Sequence, residues 1–211
     1  MEKLDLKQFI DKNKYGEYGI EIENIVLENE VFDGSNLIWF EIKNCTFKNV
    51  VFKNYNGRLW IVHENCSFFD CTFENIASED FYIGSSENYY FNCKFKNIHI
   101  EGFTEQSGIG EGKIENCIFE DIKFEADMSS SSYLIEKSIF NNVYYHVLDF
   151  EYNDIIDSKI KNTKFECDYI SYNNFQNVEF DEFKIEGTKD YMHTNTFVDC
   201  DKEKVEIIIW D

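Results

Sequence analysis

Three stretches of this chain are near copies of one another: NCTFKNVVFK at 44–53, NCKFKNIHIE at 92–101 and NCIFEDIKFE at 116–125. Each sets down a small residue, a spacer, a large apolar residue, a second spacer and an Asn or Asp, then repeats the scheme. Aligned on the large residue, sixteen such five-residue segments run from IVLEN at 25–29 to NTFVD at 195–199. The leading segments usually recur every 20 to 24 residues, with an irregular step of 15 between 158 and 173.

In an extended strand the first and third positions of a segment share a face. That face pairs small with large, as in Cys45 with Phe47 or Ser138 with Phe140, while Lys94 and Lys96 at the second and fourth positions point outward. Asn or Asp at the fifth position suits a corner, because these residues tolerate the left-handed region and bond their own backbone. Two short sides joined by a turn, returning after twenty-odd residues one strand spacing further on, make an all-β parallel solenoid of about eight to nine coils. An antiparallel sandwich has no reason to restore Cys-x-Phe-x-Asn at coil-length intervals, and it would favour Gly-rich or Pro-rich hairpin turns. The pattern predicts Phe47, Phe95, Phe119, Phe140 and Phe197 in register, one per coil. It also makes Cys45, Cys66, Cys71, Cys93 and Cys117 buried free thiols rather than metal ligands.

Three regions follow. Residues 1–24 read as a short N-terminal cap, with Leu4, Phe9 and Ile10 near helical spacing, and 25–199 as the solenoid. Residues 200–211, ending KVEIIIWD, read as a closing strand or a homodimer contact. Both ends need cover, since an exposed solenoid end is an open sheet edge.

The five-residue unit resembles that of the pentapeptide-repeat family, which carries a small residue two before a central Leu or Phe and often Asn or Asp nearby. The resemblance spans roughly residues 25–199. It implies a four-sided, right-handed parallel β-helix with twenty residues per coil. Stretches 77–92 and 103–116 break the five-residue phase and the coils exceed twenty residues, so loops are expected on one side. A pectate-lyase-like β-helix stands as the alternative architecture.

Charge supplies the functional argument. The chain has 41 acidic and 20 basic residues, a formal charge of −21. The outward positions of the sixteen segments hold eight Lys and eight acids, so the excess lies elsewhere. It gathers in the irregular stretches, on Glu79, Asp80, Glu87, Glu105, Glu111, Glu115, Asp127, Glu136, Asp149, Glu151, Asp154 and Asp157, opposed there only by Lys113 and Lys137. Along a rod ~43 Å long, this is about one net charge per ~2 Å, against ~1.7 Å for duplex DNA. Such a chain repels nucleic acid and anionic membranes and attracts basic proteins. The family resemblance implies a further step, because several pentapeptide-repeat proteins act as DNA mimics on type II topoisomerases. The twelve acids are therefore the candidate partner-binding residues, and the expected partner is a basic, nucleic-acid-acting protein. An immunity protein that neutralises one toxin is the alternative binding reading.

A carbohydrate-active β-helix enzyme is the alternative from another class. Paired carboxylates such as Asp149 and Glu151 could serve acid–base chemistry, but such pairs arise by chance in so acidic a chain. The four His form no ligand spacing, and GIGEGK at 108–113 lacks the strand and helix context of a phosphate loop. The expectation is a non-enzyme without cofactor or metal. No apolar run approaches a membrane span, and MEKLDLKQFIDKNK has no signal-peptide core, which points to a cytoplasmic protein with reduced thiols. Tyr82, Tyr89, Tyr90, Tyr133, Tyr144, Tyr152, Tyr169 and Tyr172 lie in or beside the acidic stretches, as interface or as core residues.

Overall fold

A computed structural model describes residues 14–15, 19–33, 39–57, 60–78, 82–83, 88–102, 108–109, 112–188 and 192–210. Its chain winds as a right-handed parallel β-solenoid, the hand in which right-twisted strands pack back on themselves. Among the described residues, two parallel sheets of nine strands each run along it. Side 1 holds the short strands from Val26–Glu28 and Thr46–Lys48 to Thr196–Val198. The second sheet folds around a corner to form sides 2 and 3, and its strands include Lys94–Gly102, Ile118–Ser131, Ile139–Glu151 and Lys159–Ser171. The last three reach into side 4 at 129–131, 149–151 and 169–171. In the first coils side 4 is formed by Gly19–Glu23, Trp39–Lys43 and Trp60–Glu64, paired in parallel.

The corners follow the fifth position of the unit. Among the described residues, twenty-two other than glycine have φ between 44° and 65°, most of them Asn or Asp, and most lie five residues from the next. Asn44, Asn49 and Asn54 mark three corners of one coil, and Tyr152, Asp157 and Asn162 mark three of another. Asn side chains bond one another from coil to coil along these edges, as Asn49 Nδ2 does to Asn29 Oδ1 at 2.8 Å and Asn97 Nδ2 to Asn75 Oδ1 at 2.8 Å.

The small inward residue has a specific task. At corners that carry a small polar or sulfur-bearing inward residue, a backbone N–H turns inward and must find an acceptor, and that side chain in the next coil supplies it. Cys117 N donates to Ser138 Oγ at 3.1 Å, Ser138 N to Ser158 Oγ at 3.1 Å, and Cys66 N to Asn88 Oδ1 at 2.8 Å. Cys45, Cys66, Cys71, Cys93 and Cys117 are buried and unbridged, as expected.

The named phenylalanines fall into two separate aromatic columns, which corrects the expected single one, and a third aromatic set, Phe124, Tyr145 and Phe165, lies behind side 3. Phe47 stacks on Phe68 and Phe68 on Tyr90 behind side 1, and Phe175 on Phe197 in the same column. Phe95, Phe119 and Phe140 belong to side 2, with centroids 4.7 Å apart, continuing Phe32, Phe52 and Phe73. The segment CKFKN at 93–97 therefore lies on CTFEN at 71–75, not on CSFFD at 66–70. Likewise NNFQN at 173–177 continues the side-1 strand Asp154–Ile156, not SKIKN at 158–162. The irregular step of 15 is a change of side and not a short coil: from Asp157 to Asn177 the true period is 20. Burying a Phe contributes about 1.5–3 kcal/mol, so these columns supply much of the drive to coil.

Residues 1–13, with Leu4, Phe9 and Ile10, lie outside the described residues. At the other end Val205–Trp210 pairs in parallel with Glu179–Thr188 and is the last strand of its sheet.

Candidate protein-binding surface

The outward faces differ in how their charge is neutralised. On side 2 lysines and acids alternate between neighbouring coils, on side 3 they alternate along each strand, and on both sides they pair across coils. Lys94 and Lys96 lie 3.5 and 3.4 Å from Glu120, Lys159 is 2.8 Å from Glu179, and Lys164 is 3.0 Å from Glu186. The Tyr144 hydroxyl donates to Glu166 at 3.0 Å; burial first, and then this carboxylate, push its pKa up to about 12. A concavity of about 1040 Å³ lies here, between His99, Lys123, Tyr144, Lys164 and Lys184. Lys123, Lys164 and Lys184 are all ion-paired, so the groove presents little net charge.

The edge between sides 4 and 1 is built differently. In the first coils this corner is Asn24, Asn44 and Asn65; further along it becomes Ser132, Tyr152 and Tyr172. The two tyrosines have φ of 56° and 54°, a region that bulky side chains normally avoid. Their rings stack outside the coil, centroids 5.0 Å apart and 6° from parallel, with 57% and 51% of each residue exposed.

Immediately inside, Asn153 and Asn173 are buried and clamp the corner from within. Asn173 Oδ1 accepts from Asn153 N at 3.0 Å and from its Nδ2 at 2.9 Å, and Asn173 Nδ2 donates to Phe150 O at 2.7 Å. A buried amide ladder of this kind leaves the corner little freedom. Strain held in place by its surroundings is a recurrent property of functional positions.

Carboxylates flank the tyrosines. Glu151 precedes Tyr152 and accepts a hydrogen bond from Ser171 Oγ one coil above. Asp154 accepts from Asn174 Nδ2 at 3.2 Å, and Asp157, itself a corner residue, accepts from Asn177 Nδ2 at 2.7 Å. No ion pair engages Glu151, Asp154 or Asp157 among the described residues. Asp149 lies on side 4 beneath Tyr169, and Asp168 is exposed beside it.

The twelve candidate acids thus divide. Asp149, Glu151 and Asp154 lie close in the chain to the tyrosine corner, and Asp157 marks the next corner, at the far end of the side-1 strand Asp154–Ile156. Glu115 and Glu136 lie on side 1, where Lys113 reaches both at 3.0 and 2.9 Å and Lys137 approaches Glu115 at 3.8 Å. The hydrogen bond from Lys113 holds the Glu115 carboxyl below the usual range. Glu79, Asp80, Glu87, Glu105 and Glu111 lie outside the described residues, as does the side chain of Asp127. The tyrosines divide as well. Tyr90 and Tyr133 are core; Tyr89 and Tyr144 bond Glu115 and Glu166; Tyr152, Tyr169 and Tyr172 are exposed. The tyrosine corner itself was readable as the repeat EYND at 151–154 and SYNN at 171–174, twenty residues apart.

Among the described residues no three His, Cys, Asp or Glu come together to hold a metal, and no helix is long and apolar enough to cross a membrane.

No family model and no curated protein matches the sequence. Two similar solved structures can be named. One is HetL, a pentapeptide repeat protein involved in heterocyst differentiation regulation from the cyanobacterium Nostoc sp. strain PCC 7120. It is 8% identical over 97% of this chain and 95% of that one, with a TM-score of 0.31. The other is QnrB1, a plasmid-mediated fluoroquinolone resistance protein, 15% identical over 89% and 91%, with a TM-score of 0.29. The assignment rests on the chain's own geometry. With five residues to a side, a small residue and a large one inward, and a left-handed corner at the fifth, the chain is a right-handed parallel β-solenoid built on a five-residue unit.

Proposed function

We propose that this chain is a non-catalytic binding protein whose acidic tyrosine corner docks on a basic protein that acts on nucleic acid, blocking it by occupying the cleft meant for the polymer. The observation that carries this reading is the contrast between faces. Sides 2 and 3 are cross-neutralised, whereas Glu151 and Asp154 beside the tyrosine corner, and Asp157 at the next corner, make no ion pair among the described residues. Acids spent on solvation alone have no reason to avoid the lysines of the same coils.

The test is the quadruple reversal Asp149→Lys, Glu151→Lys, Asp154→Lys and Asp157→Lys, set against Glu74→Lys on side 2. The fold should tolerate lysine at 157, because Lys137 already occupies the equivalent corner with φ of 51°. An exposed ion pair contributes only ~0.2–1 kcal/mol, so no single reversal should suffice, and four together should abolish binding. Immobilised parent protein should retain nucleic-acid-binding proteins from the source cell, releasing them with salt and with duplex DNA. If the quadruple variant retains the same proteins and DNA does not compete, the reading is wrong. Retention of a single toxin, indifferent to DNA, would favour an immunity role instead.

A further inference from the structure

The stacked tyrosines are only two rings high. One coil below Tyr152 stands Ser132, an exposed corner residue with φ of 65°, whose side chain is far too small to continue the stack. Coils are spaced by ~4.8 Å, so the corner below Tyr152 sets no ring against the face that Tyr172 leaves uncovered. At that level the walls are acidic. Glu151 and Asp154 lie on either side of Tyr152 in the chain. Each spends one oxygen on a donor from the coil above, Glu151 Oε1 on Ser171 and Asp154 Oδ1 on Asn174. Their second oxygens carry no bond among the described residues. Below them stand position 131 and Leu134, by the pairing of Ser131 with Glu151 and of Leu134 with Asp154.

We infer that this slot recognises an arginine side chain presented by the partner. The guanidinium continues the Tyr152–Tyr172 stack above Ser132 while its forked N–H groups reach Glu151 and Asp154. The planar, delocalised guanidinium both stacks on an aromatic face and bonds carboxylates in pairs; the compact ammonium of lysine does neither as well. The inference rests on the reading that the corner engages a basic protein, and it adds which cation is selected there.

Nonaarginine and nonalysine peptides, titrated calorimetrically into the intact protein at one ionic strength, provide the test. Parent protein should bind the arginine peptide at least about fivefold more tightly than the lysine peptide. Ser132→Tyr fills the slot with a third ring, and the corner should accept it as it accepts tyrosine in the next two coils. Tyr152→Asn removes the ceiling and restores the residue usual at this corner. Each variant should cut the arginine preference at least about threefold while leaving lysine-peptide affinity unchanged. Equal binding of both peptides by the parent, or a preference that survives in both variants, overturns the slot but leaves the basic-partner reading standing. Failure of the parent to bind either peptide overturns both.

Discussion

Tyr152 and Tyr172 stack with centroids 5.0 Å apart from corners whose φ angles are 56° and 54°, at positions where the first coils use asparagine. A stacked aromatic pair contributes about 0.5–1.5 kcal/mol. Holding two bulky residues in the left-handed region costs about 1–2 kcal/mol each. The second effect is larger. The double variant Tyr152→Asn/Tyr172→Asn should therefore be more stable than the parent, by about 1 kcal/mol in urea denaturation, while losing affinity for its partner. A less stable variant would mean that the tyrosines serve the fold.

Gly112 lies directly against Asn88, its partner in the neighbouring strand. A methyl group at 112 would sit 2.2 Å from the Asn88 carbonyl oxygen, and the backbone φ there is 155°. Gly112→Ala should cost about 2 kcal/mol or more, read as a lowered denaturation midpoint.

The buried amide ladder predicts an asymmetry between neighbours. Asn173→Leu keeps the size but strips Asn153 of the acceptor for two of its donors. Each buried donor left unmade costs about 1–3 kcal/mol, so a loss of about 3 kcal/mol is expected. Asn174→Ala, one residue along on the outer face, should stay within about 0.5 kcal/mol.

The ion-paired faces should fail in acid. Hydrogen bonds from Lys113 and Lys159 hold the carboxyls of Glu115 and Glu179 below the usual range. Burial works against Glu186, yet Lys164 and Lys184 together still hold it down. Depressed carboxylates bind fewer protons folded than unfolded, so their contribution is complete above about pH 4.3 and vanishes as pH falls through the folded values. The thermal midpoint should drop below about pH 4. In Lys113→Met the Glu115 share of that drop should disappear, leaving a shallower acid limb.

All seven cysteines are free and six are buried, Cys200 being the half-buried one. Burial also pushes the Cys167 thiol up. A thiol reagent should react promptly with Cys200 alone in the folded protein and with all seven after denaturation under non-reducing conditions. Several prompt native thiols would contradict the packing of the inward columns.

The unit Cys-x-Phe-x-Asn determined by itself that this chain coils. Alternation fixes which residues point inward, and Asn at the fifth position fixes where the backbone can turn left-handed, both being local properties of the chain. The sequence could not assign each segment to its side. Five-residue units are interchangeable, so CKFKN could have lain on either CSFFD or CTFEN. Only the register that pairs Phe73 with Phe95 decides between them. The same limit governed the acidic surface. An excess of carboxylates was legible, but the neutralisation of each depends on the residue one coil away. Lys113 pairs with Glu115 in its own strand and with Glu136 in the next, while Asp154 meets the Asn174 amide. Stacking, which acts between residues some twenty positions apart, is what turns a repeated sequence into faces of different chemistry.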